Sequence, residues 1–104
     1  MLVGDFNSNT IWDKPRREAN HSTVVDLLAR KGIQSTYHKF FKQNQGREKH
    51  NTLFMYRHKD KSYHIDYCFA STDFIKRLSK VEVGRHSDWC KHSDHTPLIV
   101  TFNT

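Results

Sequence analysis

Apolar residues occur along the chain in short runs separated by polar turns, a pattern that indicates strands rather than long helices. The first run, residues 1–3, stops at the turn formers of the stretch Gly4-Asp5-Phe6-Asn7. The last run, residues 98–102, follows Pro97, a residue suited to the first position of a strand. We therefore expect the chain to begin and to end in a strand.

A β-hairpin is predicted in the second half of the chain. Residues 52–57 and 62–70 flank a charged turn at residues 58–61. Alternation along the second run places Asp66 within a strand, on a face that a two-sided sheet would partly bury. A buried carboxylate requires a partner, so Asp66 is a candidate functional residue.

One helix of about ten residues is predicted in the first half. Asn20, His21 and Ser22 offer capping side chains, apolar residues follow with helical spacing, and Gly32 suits the C-terminal cap. Asp26 and Arg30 are expected to pair on its outer face.

The rest of the chain is assigned to short elements. The assignments are a loop at 8–17 anchored by Trp12, a short strand or extended segment at 33–41, a loop at 42–50, a helical turn at 74–78 capped by residues 71–73, a strand at 80–83 and a loop at 84–92. The loop at 42–50 is interpreted either as a solvated tip or as a basic loop that faces a substrate. Strands that alternate with one or two helices indicate an α/β or α+β fold.

Length and composition suit a single domain, residues 1–104, with a modest core and an apolar fraction of 36%. Cys68 and Cys90 have no metal-ligand spacing and favour a reduced, intracellular chain. Neither a membrane span nor a signal peptide is recognisable, so a cytoplasmic location is the default prediction. A strand that starts at the first residue is typical of a piece of a longer chain.

The chain is basic, with 17 Lys and Arg against 11 acidic residues, a net charge of +6 and a pI near 9.5. Such a charge favours encounter with nucleic acid or phosphorylated ligands, although a merely soluble basic surface explains it equally well. The residues that would follow a phosphate backbone are Lys39, Lys42, Arg47, Lys49 and the segment 57–61. A non-catalytic, basic nucleic-acid-binding module is therefore an alternative function.

Three polar clusters lie beside predicted strands. Asp5 and Asn7 follow the first strand, Asp66 lies within another, and Asp94 and His95 precede the last. Loops at one edge of a sheet would bring these side chains together. Asp and His supply cation ligands, a proton acceptor and an orienting carboxylate, and Asn supplies a neutral donor for a phosphoryl oxygen. Taken alone, the stretch 4–7 is more typical of a capped β-turn.

The stretches Gly4-Asp5-Phe6-Asn7, His64-Ile65-Asp66-Tyr67 and Ser93-Asp94-His95-Thr96-Pro97 resemble, in order and spacing, the last three motifs of the endonuclease/exonuclease/phosphatase family, which has the DNase I-like fold. The resemblance implies the C-terminal half of a four-layered α/β sandwich, with a mostly antiparallel or mixed sheet and one main helix. The family's N-terminal half brings an Asn and a Glu that bind the divalent cation, and usually a further His. No counterpart of these residues precedes Met1, so we expect this fragment alone to be inactive.

The resemblance implies a phosphoesterase that depends on Mg²⁺ or Mn²⁺ and hydrolyses phosphodiesters or phosphomonoesters, nuclease activity included. Asp5 would align or deprotonate the attacking water and help to bind the cation, and Asn7 would hold the phosphate. Asp66 would fix the ring of His95, Asp94 would help to bind the cation, and His95 would contact the scissile phosphate or act as base. The substrate stays open among DNA, RNA, nucleotides and lipid phosphates.

Two further side chains are candidates for contact with the substrate. His21 opens the predicted helix, whose N-terminus favours anions, whereas the other histidines apart from His95, His64 among them, are interpreted as surface or capping residues. Trp12 is a candidate for stacking on the substrate, with packing in the core or at an interface as the alternative. A half-sandwich leaves an apolar sheet face uncovered, so we also expect self-association as a homodimer through that face.

Overall fold

The computed structural model describes residues 1–15, 17, 19–58 and 60–104. The elements follow in the order β1 (Leu2–Asp5), α1 (His21–Arg30), β2 (Ile33–Ser35), α2 (Thr36–Phe41), β3 (Leu53–Phe54), β4 (Ser62–Tyr63), β5 (Asp66–Ser71), α3 (Thr72–Lys76), β6 (Leu78–Val83), α4 (His86–Trp89) and β7 (Leu98–Phe102). Short 3-10 turns occupy Thr10–Trp12 and Met55–Arg57. The prediction of an α/β protein with antiparallel sheets and few helices is confirmed. Arg16, in the predicted loop 8–17, and Lys59, in the predicted charged turn, lie outside the described residues.

β5 is the centre of the main sheet, in which the strands are ordered β1-β5-β2 and all pairs are antiparallel. Tyr67, Cys68, Phe69 and Ala70 are all buried, so both faces of this strand are covered. Asp66 begins the strand, and only 18% of its side chain is exposed. The sequence therefore places Asp66 correctly on a partly buried face, although at the start of a strand rather than in its middle.

The predicted hairpin forms, but its second strand is shorter than predicted. β3 and β4 pair with Leu53 opposite Tyr63 and Phe54 opposite Ser62, and the chain then leaves the ladder before β5 joins the main sheet. The cause is Thr52, whose buried hydroxyl accepts hydrogen bonds from the backbone N–H groups of Ile65 and Asp66. A side chain thus takes the place of a strand partner at this point.

The prediction of an extended segment over residues 33–41 is wrong beyond Ser35, because α2 occupies the second part. Ser35 is the N-cap of this helix, and its side chain accepts a hydrogen bond from the N–H of His38. Lys42, at φ 54°, ends the helix in the left-handed conformation. Capping at both ends thus overrides the strand preference of the aromatic residues in between.

The helix predicted near residue 20 is α1, followed by Gly32 at φ +74°. Asn20 is its N-cap residue, but its side chain bonds instead to the backbone N–H and C=O of Lys14. Asp26 and Arg30 form no ion pair in the described part of the chain, so this predicted contact is wrong. None of the described helices has the length and apolar character needed to cross a membrane.

The second half matches the prediction in type and departs from it at the element boundaries. α3 and β6 each begin two residues before their predicted starts. β7 has the predicted bounds, Leu98–Phe102. The predicted loop at 84–92 contains the single-turn helix α4, which is too short to produce a periodic sequence pattern.

A polar cluster is buried against β5, where the sequence suggests surface histidines. His64 is 2% exposed and His21 is 7% exposed, so interpreting His64 as a surface residue is wrong. The side chain of Glu48 is only 4% exposed and accepts hydrogen bonds from His38 Nε2 at 2.5 Å, Asn9 Nδ2 at 3.1 Å and Gly46 N–H at 2.9 Å. Burial alone would raise the pKa of Glu48, but these hydrogen bonds outweigh it and lower the pKa to about 2.

Acid should therefore lower the free energy of unfolding by the contribution of the ionised Glu48. Because the pKa of Glu48 falls from 4.5 in the unfolded chain to about 2 in the fold, its contribution is complete above pH 4.5 and is lost as the pH falls towards 2. The loss amounts to about 3 kcal/mol. Urea denaturation at pH 6 and at pH 2.5 should show this difference for the wild type and not for Glu48→Gln. Glu82→Gln, in which an exposed carboxylate is replaced, is the matched control.

The edge strand β1 carries exposed apolar side chains, Leu2 at 47% and Val3 at 67%. Neighbouring residues of a strand point to opposite faces, so neither face of β1 is fully covered. The shortest dimension of the molecule, 19 Å, corresponds to about two packed layers, since sheets stack about 10 Å apart.

The predicted homodimer should form through β1, because an apolar strand with one unpaired edge is a template for a second copy. Light scattering over a concentration series should show dimers, and Val3→Lys should shift them to monomers. Leu27→Lys, which places the same charge on the half-exposed face of α1, should leave the dimer intact. A monomer at every concentration would contradict the prediction.

Candidate functional site

Two carboxylates meet at the point where β1 ends and β5 begins. In the antiparallel register of β1 and β5, Asp5 lies directly opposite Asp66. His95 joins them, with Nδ1 at 2.8 Å from Asp66 Oδ2 and Nε2 at 3.7 Å from Asp5 Oδ2. One donor atom from each of the three residues lies within 4.8 Å of the others. The structure thus brings together three residues that the sequence places in separate clusters.

The charges in this group explain its arrangement. Like charges directly opposite each other destabilise a pair of strands, and His95 lies where a positive charge relieves that repulsion. Burial alone would lower the pKa of His95, but the hydrogen bond to Asp66 and the charges of Asp66, Asp5 and Asp94 outweigh it and raise the pKa. The carboxylate of Asp66 can only accept, so Nδ1 carries the hydrogen and Nε2 is turned towards Asp5.

A short stretch of backbone places His95 beside Asp66. The segment 94–96 lies along β3, with the Phe54 N–H donating to Asp94 O at 2.6 Å and the Thr96 N–H donating to Thr52 O at 2.8 Å. The hydroxyl of Thr52 accepts from the Asp66 N–H at 3.1 Å. Thr52, which is fully buried, therefore connects the two segments that carry Asp66 and His95.

The turn after β1 has the backbone that its residues favour. Gly4 has a φ of +143° and Asn7 a φ of 49°, values that glycine and asparagine tolerate best. The Asn7 N–H donates to Asp5 Oδ1 at 2.7 Å. Gly4 and Asp5 belong to β1, and the Phe6 N–H still donates to Ile65 O at 3.0 Å, so the stretch continues the strand pairing instead of forming a β-turn over residues 4–7. The side-chain hydrogen bond to the Asn7 N–H holds the carboxylate of Asp5 at the site. Asn7 lies beyond the end of β1, with its side chain exposed.

Buried side chains tie this turn to β5. Asn9 is 2% exposed and donates through Nδ2 to His64 O at 2.8 Å and to Glu48 Oε1 at 3.1 Å. The hydroxyl of Tyr67 donates to Ser8 O at 2.8 Å. These contacts fix the chain immediately after Asp5 against the chain immediately before Asp66. No local sequence pattern predicts these roles of Asn9, Tyr67 and Thr52, because each of them bonds to residues far away in the chain.

Besides Asn7, three predicted site residues lie outside the group. Asp94 precedes His95 and is exposed, and its carboxylate is not among the clustered donor atoms of the described residues. His21 is buried, with Nδ1 at 2.9 Å from Ser8 Oγ and Nε2 at 2.9 Å from Gln45 Oε1, so both ring nitrogens already have protein partners. Trp12 is 39% exposed and packs against Tyr63 with ring centroids 5.0 Å apart.

The three clustered residues open into a cavity of about 490 Å³. Trp89, Pro97 and Leu98 form an apolar wall beside Asp5 and His95. Gly84 makes this wall possible, because a Cβ at that position would lie 2.5 Å from Pro97 Cδ and 2.8 Å from Trp89 Nε1. The loop between β6 and β7 therefore closes on itself only with glycine at residue 84.

The donor set suits a divalent cation. Carboxylate oxygens are the ligands that Mg²⁺ and Mn²⁺ prefer, and imidazole is a ligand for transition metals. Asp5 and Asp66 offer oxygens at the mouth of the cavity, and their mutual repulsion favours a positive charge between them. The residues present thus fit the predicted cation through the two carboxylates, with His95 Nε2 beside them.

Comparisons of the chain with known protein families, with characterised proteins and with solved structures find no match.

Thr52→Val should loosen the site, because valine has the same shape but leaves the N–H groups of Ile65 and Asp66 without an acceptor. Leaving a buried donor unpaired costs about 1–3 kcal/mol, so for the two donors we expect a loss of about 2–6 kcal/mol in urea denaturation. The pKa of His95, followed by NMR, should fall towards its ordinary value as Asp66 moves. Thr52→Ser keeps the hydroxyl and is the matched control. Equal losses in the two variants would show that the hydroxyl does not hold the site.

Proposed function

We propose that the chain is the C-terminal half of an endonuclease/exonuclease/phosphatase domain and contributes to cation-dependent hydrolysis of phosphoesters. One observation carries the proposal: Asp5, Asp66 and His95, which stem from three separate motifs, meet in one group at the mouth of a cavity. A sheet with a half-covered β1 and a thickness of about two layers also agrees with half of a four-layered sandwich.

The geometry suggests a division of roles. Asp66 positions the ring of His95 through Nδ1, which leaves Nε2 available to take a proton from water or to donate to a phosphoryl oxygen. Asp5 lies on the Nε2 side of the ring and is the second candidate to accept the proton from water. The water oxygen would form the new bond to phosphorus as the bond to the leaving alkoxide breaks, and the alkoxide would take up a proton.

Asn7 and the cation complete the proposed site. Asn7 is exposed next to Asp5 and has the amide needed to hold a phosphoryl oxygen. Mg²⁺ or Mn²⁺ would be held by Asp5 and by Asp66, which lies opposite it, with Asp94 as the further ligand that the resemblance predicts; when bound, the cation supplies positive charge for the transition state. Asp94 is near enough to raise the pKa of His95. The roles proposed for His21 and Trp12 in substrate binding have less support, since both rings already pack against protein partners.

The cation provides a direct test that does not require turnover. Mn²⁺ binding, followed by the relaxation of water protons, should weaken at least tenfold in Asp5→Asn, because a ligand oxygen and a charge are lost. Asp26→Asn removes an exposed carboxylate on α1 and should bind like the wild type. Equal affinity in all three proteins would refute the proposed cation site.

Hydrolysis distinguishes an enzyme from the alternative, a basic nucleic-acid-binding module. With bis(4-nitrophenyl) phosphate and Mn²⁺, a protein that carries this domain should lose about 10²-fold or more in rate in His95→Ala, since general acid–base groups contribute at least that much. We expect low activity from these 104 residues alone. Binding to DNA with a steep dependence on salt, and no cation-dependent turnover, would favour the binding module instead.

A further inference from the structure

A second cavity, of about 410 Å³, lies between the segment that precedes β3 and the segment that follows β6. Cavities of about 300–1,000 Å³ are the usual size of small-molecule sites. Lys49 and His50 line it on one side, Arg85 and His86 on the other, and Ser62 and Phe54 lie between them. It shares no lining residue with the cavity that contains Asp5 and His95.

The lining of this cavity carries positive charge only. Among the described residues, no aspartate or glutamate lines the cavity, whereas two cationic side chains and two imidazoles line it. Lys49 forms no ion pair in the described part of the chain. Arg85 has a partner on Nε alone, Asp88 Oδ2 at 3.2 Å, in an exposed position. A recess lined by one sign of charge concentrates ligands of the opposite sign.

Each of the two imidazole rings is held by a hydrogen bond through one of its own nitrogens. The Tyr37 hydroxyl donates its only hydrogen to Gln43 Oε1 at 2.8 Å. The same hydroxyl lies 2.8 Å from His50 Nδ1 and must accept there, so Nδ1 carries a hydrogen. His86 Nε2 lies 3.0 Å from Arg57 O, a carbonyl that can only accept, and the His86 ring packs on Phe54 with centroids 4.6 Å apart. The second nitrogen of each ring has no protein partner among the described residues.

A hydroxyl adds a neutral donor. The Ser62 Oγ accepts a hydrogen bond from Asn51 Nδ2 at 2.9 Å, which leaves the hydrogen of the hydroxyl free to donate. Charged donors on a compact set of side chains, with no competing carboxylate in the lining, match the oxygens of a phosphate group. A recess of about 410 Å³ accepts a single phosphate group rather than a continuous backbone.

We infer that this cavity binds a small phosphate-bearing anion through Lys49, Arg85 and Ser62, with the two imidazoles as further donors in their protonated form. The site is independent of the proposed hydrolase chemistry, because it uses neither Asp5 nor His95. Its ligand is either free phosphate or the phosphate of a small ester such as a nucleoside monophosphate, and Phe54 and Val83 supply the apolar part of the lining that such an ester would contact.

Isothermal titration with inorganic phosphate, and separately with a nucleoside 5′-monophosphate, tests the inference in buffer that contains EDTA, so that no cation contributes. The double variant Lys49→Gln/Arg85→Gln should weaken binding at least tenfold. Lys31→Gln/Lys76→Gln removes two exposed cations that do not line this cavity and should bind like the wild type. Equal weakening in both double variants would overturn the site, because the effect would then be one of net charge.

The histidine ring signals locate the ligand. Phosphate should shift the NMR signals of His50 and His86 and leave those of His95 unchanged. Tighter binding of the monophosphate than of phosphate would identify the ester as the ligand, and equal binding would identify free phosphate. Shifts at His95 alone, or shifts caused by a single-stranded oligonucleotide and not by either small anion, would overturn the inference.

Discussion

The pairing of β1 with β5 is the constraint on which the rest of the structure depends. Its register sets Asp5 against Asp66, two like charges on facing strands, and such a pair persists only when a positive charge or a proton relieves the repulsion. The chain supplies this relief from a distant segment, by holding His95 along β3 through backbone hydrogen bonds. Three features keep these side chains close to one another: the order of the elements, the break in the hairpin and the buried polar cluster.

The sequence was sufficient to find the three clustered side chains, because Asp5, Asp66 and His95 lie next to strand ends that apolar runs reveal. It was also sufficient for the type of most elements, α1 and β7 among them. It was not sufficient for α2, where capping by Ser35 outweighs aromatic residues that favour a strand. The caps at the two ends, Ser35 and Lys42, decide this helix, and the propensities of the residues between them do not.

The residues that position the site were hidden for a related reason. Asn9 reaches Glu48 and His64, which are 39 and 55 residues away in the chain. Thr52 acts through one hydroxyl that no periodic pattern distinguishes from a turn residue. Because such contacts combine a polar atom with near-complete burial, they become visible only when the fold is known. In a chain with a modest apolar core, these polar contacts carry a large share of what specifies the arrangement of the strands.

Pro97 and Trp89 pack closely on the backbone of Gly84, and this contact makes the two walls of the site respond differently to pH. The wall that carries His95 is closed by steric contact of Gly84 with Pro97 and Trp89, and contact between uncharged groups does not change with pH or ionic strength. The opposite wall, with Asp5, is tied to β5 through Asn9 and the ionised Glu48. Only strong acid, near the pKa of about 2 that Glu48 has in the fold, would therefore loosen the wall that carries Asp5, while the wall that carries His95 would keep its shape.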